Sequence, residues 1–241
     1  MISLKELHSR TLPPEKKKAV KIDFVSYYLW RPLCDRISIL LMSTNLTPTV
    51  VTIFSFYMAL LSLVIFLFIP GKIGALIGYF LLWLWNISDG IDGNIARYKK
   101  QYSKAGDLWD ATAGYMAMVA FYFGAGMVAS NERSIFFDGF ISSHYYVALG
   151  ALAAIWTIFP RLIVQKKNVS YGIEAVKKLK NKSNYDWKMV TILNLNSING
   201  LAGLLLLISI IWDLTNIFVF SYFVIQSIFF IASMIVTMRD L

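Results

Sequence analysis

The chain has 241 residues, of which 57% are hydrophobic, 15% aromatic and only 15% charged. Soluble domains carry about a quarter charged residues, so this composition, with a mean hydropathy of +0.59, excludes a disordered chain, a coiled coil and an ordinary soluble enzyme, and predicts a polytopic membrane protein. The formal charge of +9 on so apolar a background points to basic cytoplasmic loops and anionic lipid, with no nucleic acid as partner.

Residues 1–36 are basic, with Lys16, Lys17, Lys18 and Lys21, and continue into Phe24, Tyr27, Tyr28, Leu29, Trp30 and Leu33. This pattern predicts an amphipathic interfacial helix on the cytoplasmic leaflet. The first thirty residues lack the continuous apolar core of a signal peptide. Residues 1–45 are therefore read as a cytoplasmic N-terminal segment and 46–241 as one transmembrane domain. Charge-free runs then predict six transmembrane helices, at about 47–69, 72–98, 106–129, 141–166, 189–211 and 215–238. Thr47-Pro48 suits the opening of the first, as N-cap and first helical residue. Helices are the natural spanning element because backbone groups in hydrocarbon must be satisfied within the segment, and the alternating pattern of a β-barrel is absent. With both termini cytoplasmic, 21 of the 23 Lys+Arg fall on the inside and only Lys72 and Arg133 outside. An odd number of spans would spoil that asymmetry. The expected fold is thus all-α, a six-helix membrane bundle in the cell membrane.

The second predicted helix ends with Asp89-Gly90-Ile91-Asp92-Gly93-Asn94-Ile95-Ala96-Arg97, and the third begins with Gly106-Asp107-Leu108-Trp109-Asp110. Carboxylates at membrane depth are costly and mark functional sites. At roughly 100° per residue, positions 89, 92, 93, 96 and 97 share one face, and 107 and 110 share another. A short turn makes the two helices antiparallel neighbours, so the faces can meet. With one cysteine, Cys34, and two histidines, His8 and His144, a Cys- or His-rich metal site is unavailable. An all-oxygen cluster suits Mg²⁺, Mn²⁺ or Ca²⁺. Gly93 and Ala96 leave room beside the acids, and Arg97 offers a planar fork for a phosphate. Together they describe a metal–diphosphate site. The plainer alternative is a set of interfacial acids paired with lysines.

The spacing Asp89-x2-Asp92-Gly93-x2-Ala96-Arg97-x8-Gly106-x3-Asp110 resembles the signature of the CDP-alcohol phosphotransferases (CDP-alcohol phosphatidyltransferases). Seven specified residues at about 5% each arise by chance on the order of once in a billion starts. The resemblance implies a six-helix membrane fold, often homodimeric, with a site open to the cytoplasm. It implies two ions, Mg²⁺ or Mn²⁺, held partly by Asp89, Asp92 and Asp110. It also implies a nucleotide pocket shaped by Gly93, Ala96, Arg97 and Gly106, with Thr47 or Thr52 close by. The implied reaction moves a substituted phosphate from a CDP-linked donor to an alcohol acceptor with release of CMP, one of the two substrates being a lipid, in phospholipid or envelope-polymer synthesis.

The signature departs at one place. Its fourth Asp, the usual general base, is here Gly114. Three explanations stand beside one another: another group such as Asp107 serves as base or helps bind; the chain binds a CDP-donor but is catalytically weak or inactive; or Gly114 is an engineered substitution. A polar-solute transporter is the alternative from another class, since it too places acids in a bundle. Arg161, after Pro160, would bind a phosphate or snorkel to headgroups. Lys166, Lys167, Lys177, Lys178, Lys180 and Lys182 form a basic loop, with Tyr171 and Glu174 beside them. Asn194, Asn196, Asn199 and Gly200 suit interhelical hydrogen bonds or substrate. His144 falls on the outer side.

Overall fold

A computed structural model describes residues 2–132, 142–171 and 187–239. Arg133, Glu174, Lys177, Lys178, Lys180 and Lys182 lie outside the described residues. Every regular element among the described residues is helical.

The N-terminal segment is divided rather than continuous. Helix α1 (Leu4–Thr11) is capped by Ser3, whose Oγ accepts the Glu6 amide at 3.1 Å. Helix α2 (Pro14–Lys21) begins at a proline. Pro13 and Pro14 break the continuity expected of one interfacial helix, because proline has no amide to donate and is tolerated only in a first turn. A π-helical turn, Ser26–Trp30, leads into α3 (Arg31–Met42), with the Arg31 amide donating to the Ser26 carbonyl. Phe24, Tyr28, Leu29 and Leu40 are exposed, while Leu7, Cys34 and Met42 are buried with Val51, Ile87, Ile91 and Ile95 in one apolar cluster.

The long helices follow the charge-free runs closely. They are α4 (Pro48–Phe68), α5 (Gly71–Lys99), α6 (Lys104–Ser130), α7 (Ser143–Tyr171), α8 (Trp187–Asn196), α9 (Leu201–Ile211) and α10 (Thr215–Arg239). The fifth predicted span is thus two helices, bent by 49° at the break after Asn196. Four helices, α4, α6, α7 and α10, are long and apolar enough to cross a membrane, or five spans if α8 and α9 count as one. Helix α5 falls short on composition, because Asn86, Ser88, Asp89 and Asp92 dilute its apolar residues. On α10, Val224, Ile228, Ile231 and Ile235 are all exposed. Their spacing of four, three and four makes an apolar stripe suited to lipid. The chain is an integral membrane protein.

The chain forms two compact units. One comprises the described residues of Met1–Leu61, Phe80–Ala117 and Lys182–Leu204; the other, those of Ser62–Tyr79, Met118–Asn181 and Leu205–Leu241. In the second unit, helices approach through glycine. A Cβ at Gly150 would lie 2.5 Å from the Tyr122 carbonyl oxygen and 3.0 Å from Gly126 Cα, so α6 and α7 pack backbone to backbone there. Gln226 donates to the Tyr122 hydroxyl at 2.7 Å. Glu132 accepts the Thr215 amide (2.8 Å) and hydroxyl (2.6 Å), which secures the start of α10. In the first unit, Asn194 accepts the Phe24 amide at 3.0 Å and donates to the Ile22 carbonyl at 2.6 Å, so one buried asparagine ties α8 to the N-terminal segment. Ser197 donates to Asp23 nearby.

Candidate active site

The site lies within the first unit, at the C-terminal part of α5 and the start of α6. Helix α5 stops at Lys100, which adopts the left-handed conformation (φ 53°). The next amide, Gln101, returns to the Ala96 carbonyl at 3.0 Å, the hydrogen bond that closes such helix ends. Lys99 donates to the Thr44 and Leu46 carbonyls at 2.9 and 3.3 Å, fixing this end against the loop before α4. Ser103 then caps α6, its Oγ accepting the Gly106 amide at 2.9 Å. A four-residue turn, 100–103, thus holds two helix ends side by side. Asp107 falls in the first turn of α6, where the helix dipole favours an acid.

Between these ends opens a cavity of about 770 Å³. Its walls include Asp89, Asp92, Gly93, Ala96 and Arg97 from α5, Gly106, Asp107 and Asp110 from α6, and Thr52 from α4. The five α5 positions placed on one face by helical periodicity therefore do face one space. Asp92, 6% exposed, accepts the Thr52 hydroxyl at 2.6 Å, and this bond anchors its carboxylate to α4. The Asp89 and Asp110 carboxyl groups are close enough to share a hydrogen bond. Two carboxylates at that range repel unless a proton or a cation lies between them. Gly93 has a steric reason: a Cβ there would lie 2.9 Å from both terminal nitrogens of Arg97, so the guanidinium lies across the bare backbone. Arg97 Nη2 donates to Asn94 Oδ1 at 3.3 Å.

Thr47 is not among the cavity's walls; it precedes α4, and its carbonyl accepts the Val51 amide at 3.4 Å. Thr49, one turn from Thr52 on the cavity side, takes that place, with its hydroxyl 3.4 Å from Ser103 Oγ. Thr49, Tyr102 and Ser103 were missed by sequence reasoning. The usable signal was the Ser103 N-cap, which places the turn residues against the start of α4. Gly114 lies beyond the cavity walls, and a Cβ built there meets nothing within 4 Å apart from its own chain neighbours and the adjacent turns of its helix backbone. Arg161 belongs to the second unit and is not one of the cavity's walls.

For a divalent metal, the fit is one of donor type. The acids offer oxygen donors only, as a hard cation requires, and Asp89 meets Asp110. Among the described residues, no three His, Cys, Asp or Glu side chains are gathered as a ready ligand set. The cavity is large enough for a nucleotide-sized ligand. Its lining combines the four acids with Arg97 and Lys104.

A family model described as CDP-alcohol phosphatidyltransferase matches residues 45–238. No curated protein matches the chain.

Proposed function

Because the chain belongs to the CDP-alcohol phosphatidyltransferase family, whose members transfer phosphate-linked groups from CDP-alcohols and are generally dependent on divalent metals, we propose that it transfers a substituted phosphate from a CDP-linked donor to an alcohol and releases CMP. The observation that carries this reading is the convergence of Thr52, Asp89, Asp92, Gly93, Ala96, Arg97, Gly106, Asp107 and Asp110 on one cavity. In this reading the acceptor oxygen bonds to the distal phosphorus of the diphosphate. The bond from that phosphorus to the bridging oxygen breaks, and CMP leaves with that oxygen. The hydroxyl proton passes to Asp107 or to water. Arg97, laid over Gly93, binds the diphosphate, and Gly106 and Ala96 admit the nucleotide close to the backbone. Asp89, Asp92 and Asp110 would hold Mg²⁺ or Mn²⁺. When bound, the metal supplies charge neutralisation at the diphosphate and the leaving group. The protein's own share is positioning and preorganised charge.

We place the site at the cytoplasmic face, with six spans and one substrate drawn from the lipid. The retained apolar exposure of Phe24, Tyr28, Leu29 and Leu40 beside a basic stretch supports a leaflet-bound N-terminal segment. A second reading, a CDP-donor-binding relative of little activity, is favoured by one observation, the missing carboxylate at Gly114.

A screen for CMP release over CDP-donors and alcohols, with and without Mg²⁺ or Mn²⁺, tests the proposal. Metal-dependent CMP release is expected, with Asp89→Asn lowering it at least a hundredfold, within the range of lost charge stabilisation. Activity in Asp89→Asn equal to the wild-type chain refutes the metal assignment. CDP binding without CMP release from any donor establishes the second reading.

A further inference from the structure

Asn94 occupies one of the signature's unspecified places, between Gly93 and Ala96, and is not one of the large cavity's walls. Its side chain is 2% exposed, so its amide must find its partners inside the protein. Nδ2 donates to Asp35 Oδ1 at 2.9 Å and to Ser38 Oγ at 3.1 Å, both on α3. Oδ1 accepts from Arg97 Nη2 at 3.3 Å. Both ends of the amide are therefore used, one toward α3 and the other toward the arginine of the site.

Which end faces Arg97 is decided from behind. Turned over, the amide would set its N–H groups against a guanidinium, which only donates, and its oxygen against a carboxylate oxygen, which only accepts. Both contacts would be lost. Asp35 thus selects the orientation that presents an oxygen to Arg97. Asp35 is itself held, with Oδ2 2.7 Å from His8 Nε2 on α1 and 3.8 Å from Arg31 Nε. Ser38 is held by donating to the Cys34 carbonyl at 2.6 Å. Arg97 receives a neutral acceptor. A carboxylate at that place would pair with the guanidinium and compete with an anionic ligand, whereas an amide oxygen engages one N–H and leaves the charge in place. The bare backbone of Gly93 gives the guanidinium room, with a built Cβ only 2.9 Å from both terminal nitrogens. Nε of Arg97 is buried with no hydrogen-bond partner among the described residues, so donor capacity remains for a ligand.

From this geometry we propose that Asn94 is a positioning residue: through the Asp35–Asn94–Arg97 chain, α3 fixes the direction of the Arg97 fork toward the donor's diphosphate. The inference rests on the transferase reading, which supplies the diphosphate. A guanidinium recognises phosphate oxygens by a planar fork, so its value depends on its angle as well as its charge. An arginine on an exposed stem loses side-chain freedom when it binds. Here the neighbouring helix has already removed much of that freedom, which is preorganisation.

Calorimetric titration of CDP into the full chain in detergent, with Mg²⁺ present, tests this, with CMP release measured in parallel. Asn94→Leu, similar in volume but without the acceptor, is expected to weaken CDP binding about tenfold, the scale of a hydrogen bond to a charged group. Ser38→Ala removes one of the two groups that hold the amide. It is expected to weaken CDP about threefold, and it decides the matter if Asn94→Leu does not fold. Each change is then repeated in an Arg97→Lys background. Lysine keeps the charge but has no fork to aim, so there the same change is expected to alter CDP affinity by no more than about twofold. A merely structural role for Asn94 would cost the same in both backgrounds. CDP affinity equal to wild type in Asn94→Leu, or in Ser38→Ala where Asn94→Leu does not fold, overturns the inference. So does an equal loss with arginine and with lysine at position 97. A loss confined to the arginine background, in a chain that releases no CMP from any donor, upholds the positioning and overturns the transferase reading. A wild-type chain that does not bind CDP overturns both.

Discussion

Two glycines carry opposite meanings. At Gly93 a methyl group would press on Arg97 at 2.9 Å, so the residue is small because the site's arginine occupies its space. At Gly114 a Cβ meets nothing within 4 Å, so no packing reason demands glycine there. An aspartate would find room one turn after Asp110, on the same side of α6. Gly114→Asp should therefore fold normally. If a missing base limits turnover, CMP release should rise by about 10²–10⁴-fold, the usual contribution of general-base help. An unchanged rate from an already active chain would show that Asp107 or another proton acceptor suffices. The substitution's identity was legible in the sequence; that it leaves open space was not, because emptiness depends on the neighbouring helices.

Among the elements, α3 is the one whose importance the sequence concealed. Read as part of a basic, amphipathic tail, it carries a nearly inaccessible acid. Asp35 is 2% exposed and Ser38 fully buried, and both are bonded to Asn94 on α5. Periodicity finds apolar faces, and a buried hydrogen-bond network has no such signature. Replacing Asp35 with alanine takes a hydrogen-bond acceptor from the buried Asn94 amide and from His8, and a facing charge 3.8 Å away from Arg31. By the usual cost of such orphaned groups, Asp35→Ala should lower stability by about 2–4 kcal/mol, read as an earlier unfolding transition of the detergent-solubilised protein. A loss under about 0.5 kcal/mol would mean that water replaces the carboxylate and that α3 is only loosely attached. The motif helices show the converse. Gly106 and Asp107 were readable at a helix start, because a first-turn acid is local chemistry. So were the five α5 positions on one face, because that follows from helical geometry alone.

At the scale of the molecule, the open question is how many times the chain crosses. The charge pattern left Lys72 as an exception outside the cytoplasm. The structure gives it a partner, since Lys72 Nζ donates to Asp213 at 2.7 Å. Helix boundaries came out within a few residues of the charge-free runs, because charges end apolar segments. The break after Asn196 did not, since Asn194-Leu195-Asn196-Ser197 has no proline to announce it. Helix α5 decides the count. Its 29 residues reach roughly 43 Å at 1.5 Å each, beyond the ~30 Å hydrocarbon core. Its acids cluster toward one end, where they line the cavity, so length permits a crossing that composition understates. Cysteine labelling resolves this with little background, because Cys34 is buried and desolvation pushes its thiol up to about 12, leaving almost no reactive thiolate at pH 8. Single cysteines replacing Ile69 and Gln101, both exposed just outside the ends of α5, should behave oppositely. Ile69→Cys should react with an impermeant maleimide in intact cells, and Gln101→Cys only after permeabilisation. Equal reactivity of the two in intact cells would put both ends of α5 on one side, remove a span, and break the agreement between the charge asymmetry and a cytoplasmic site.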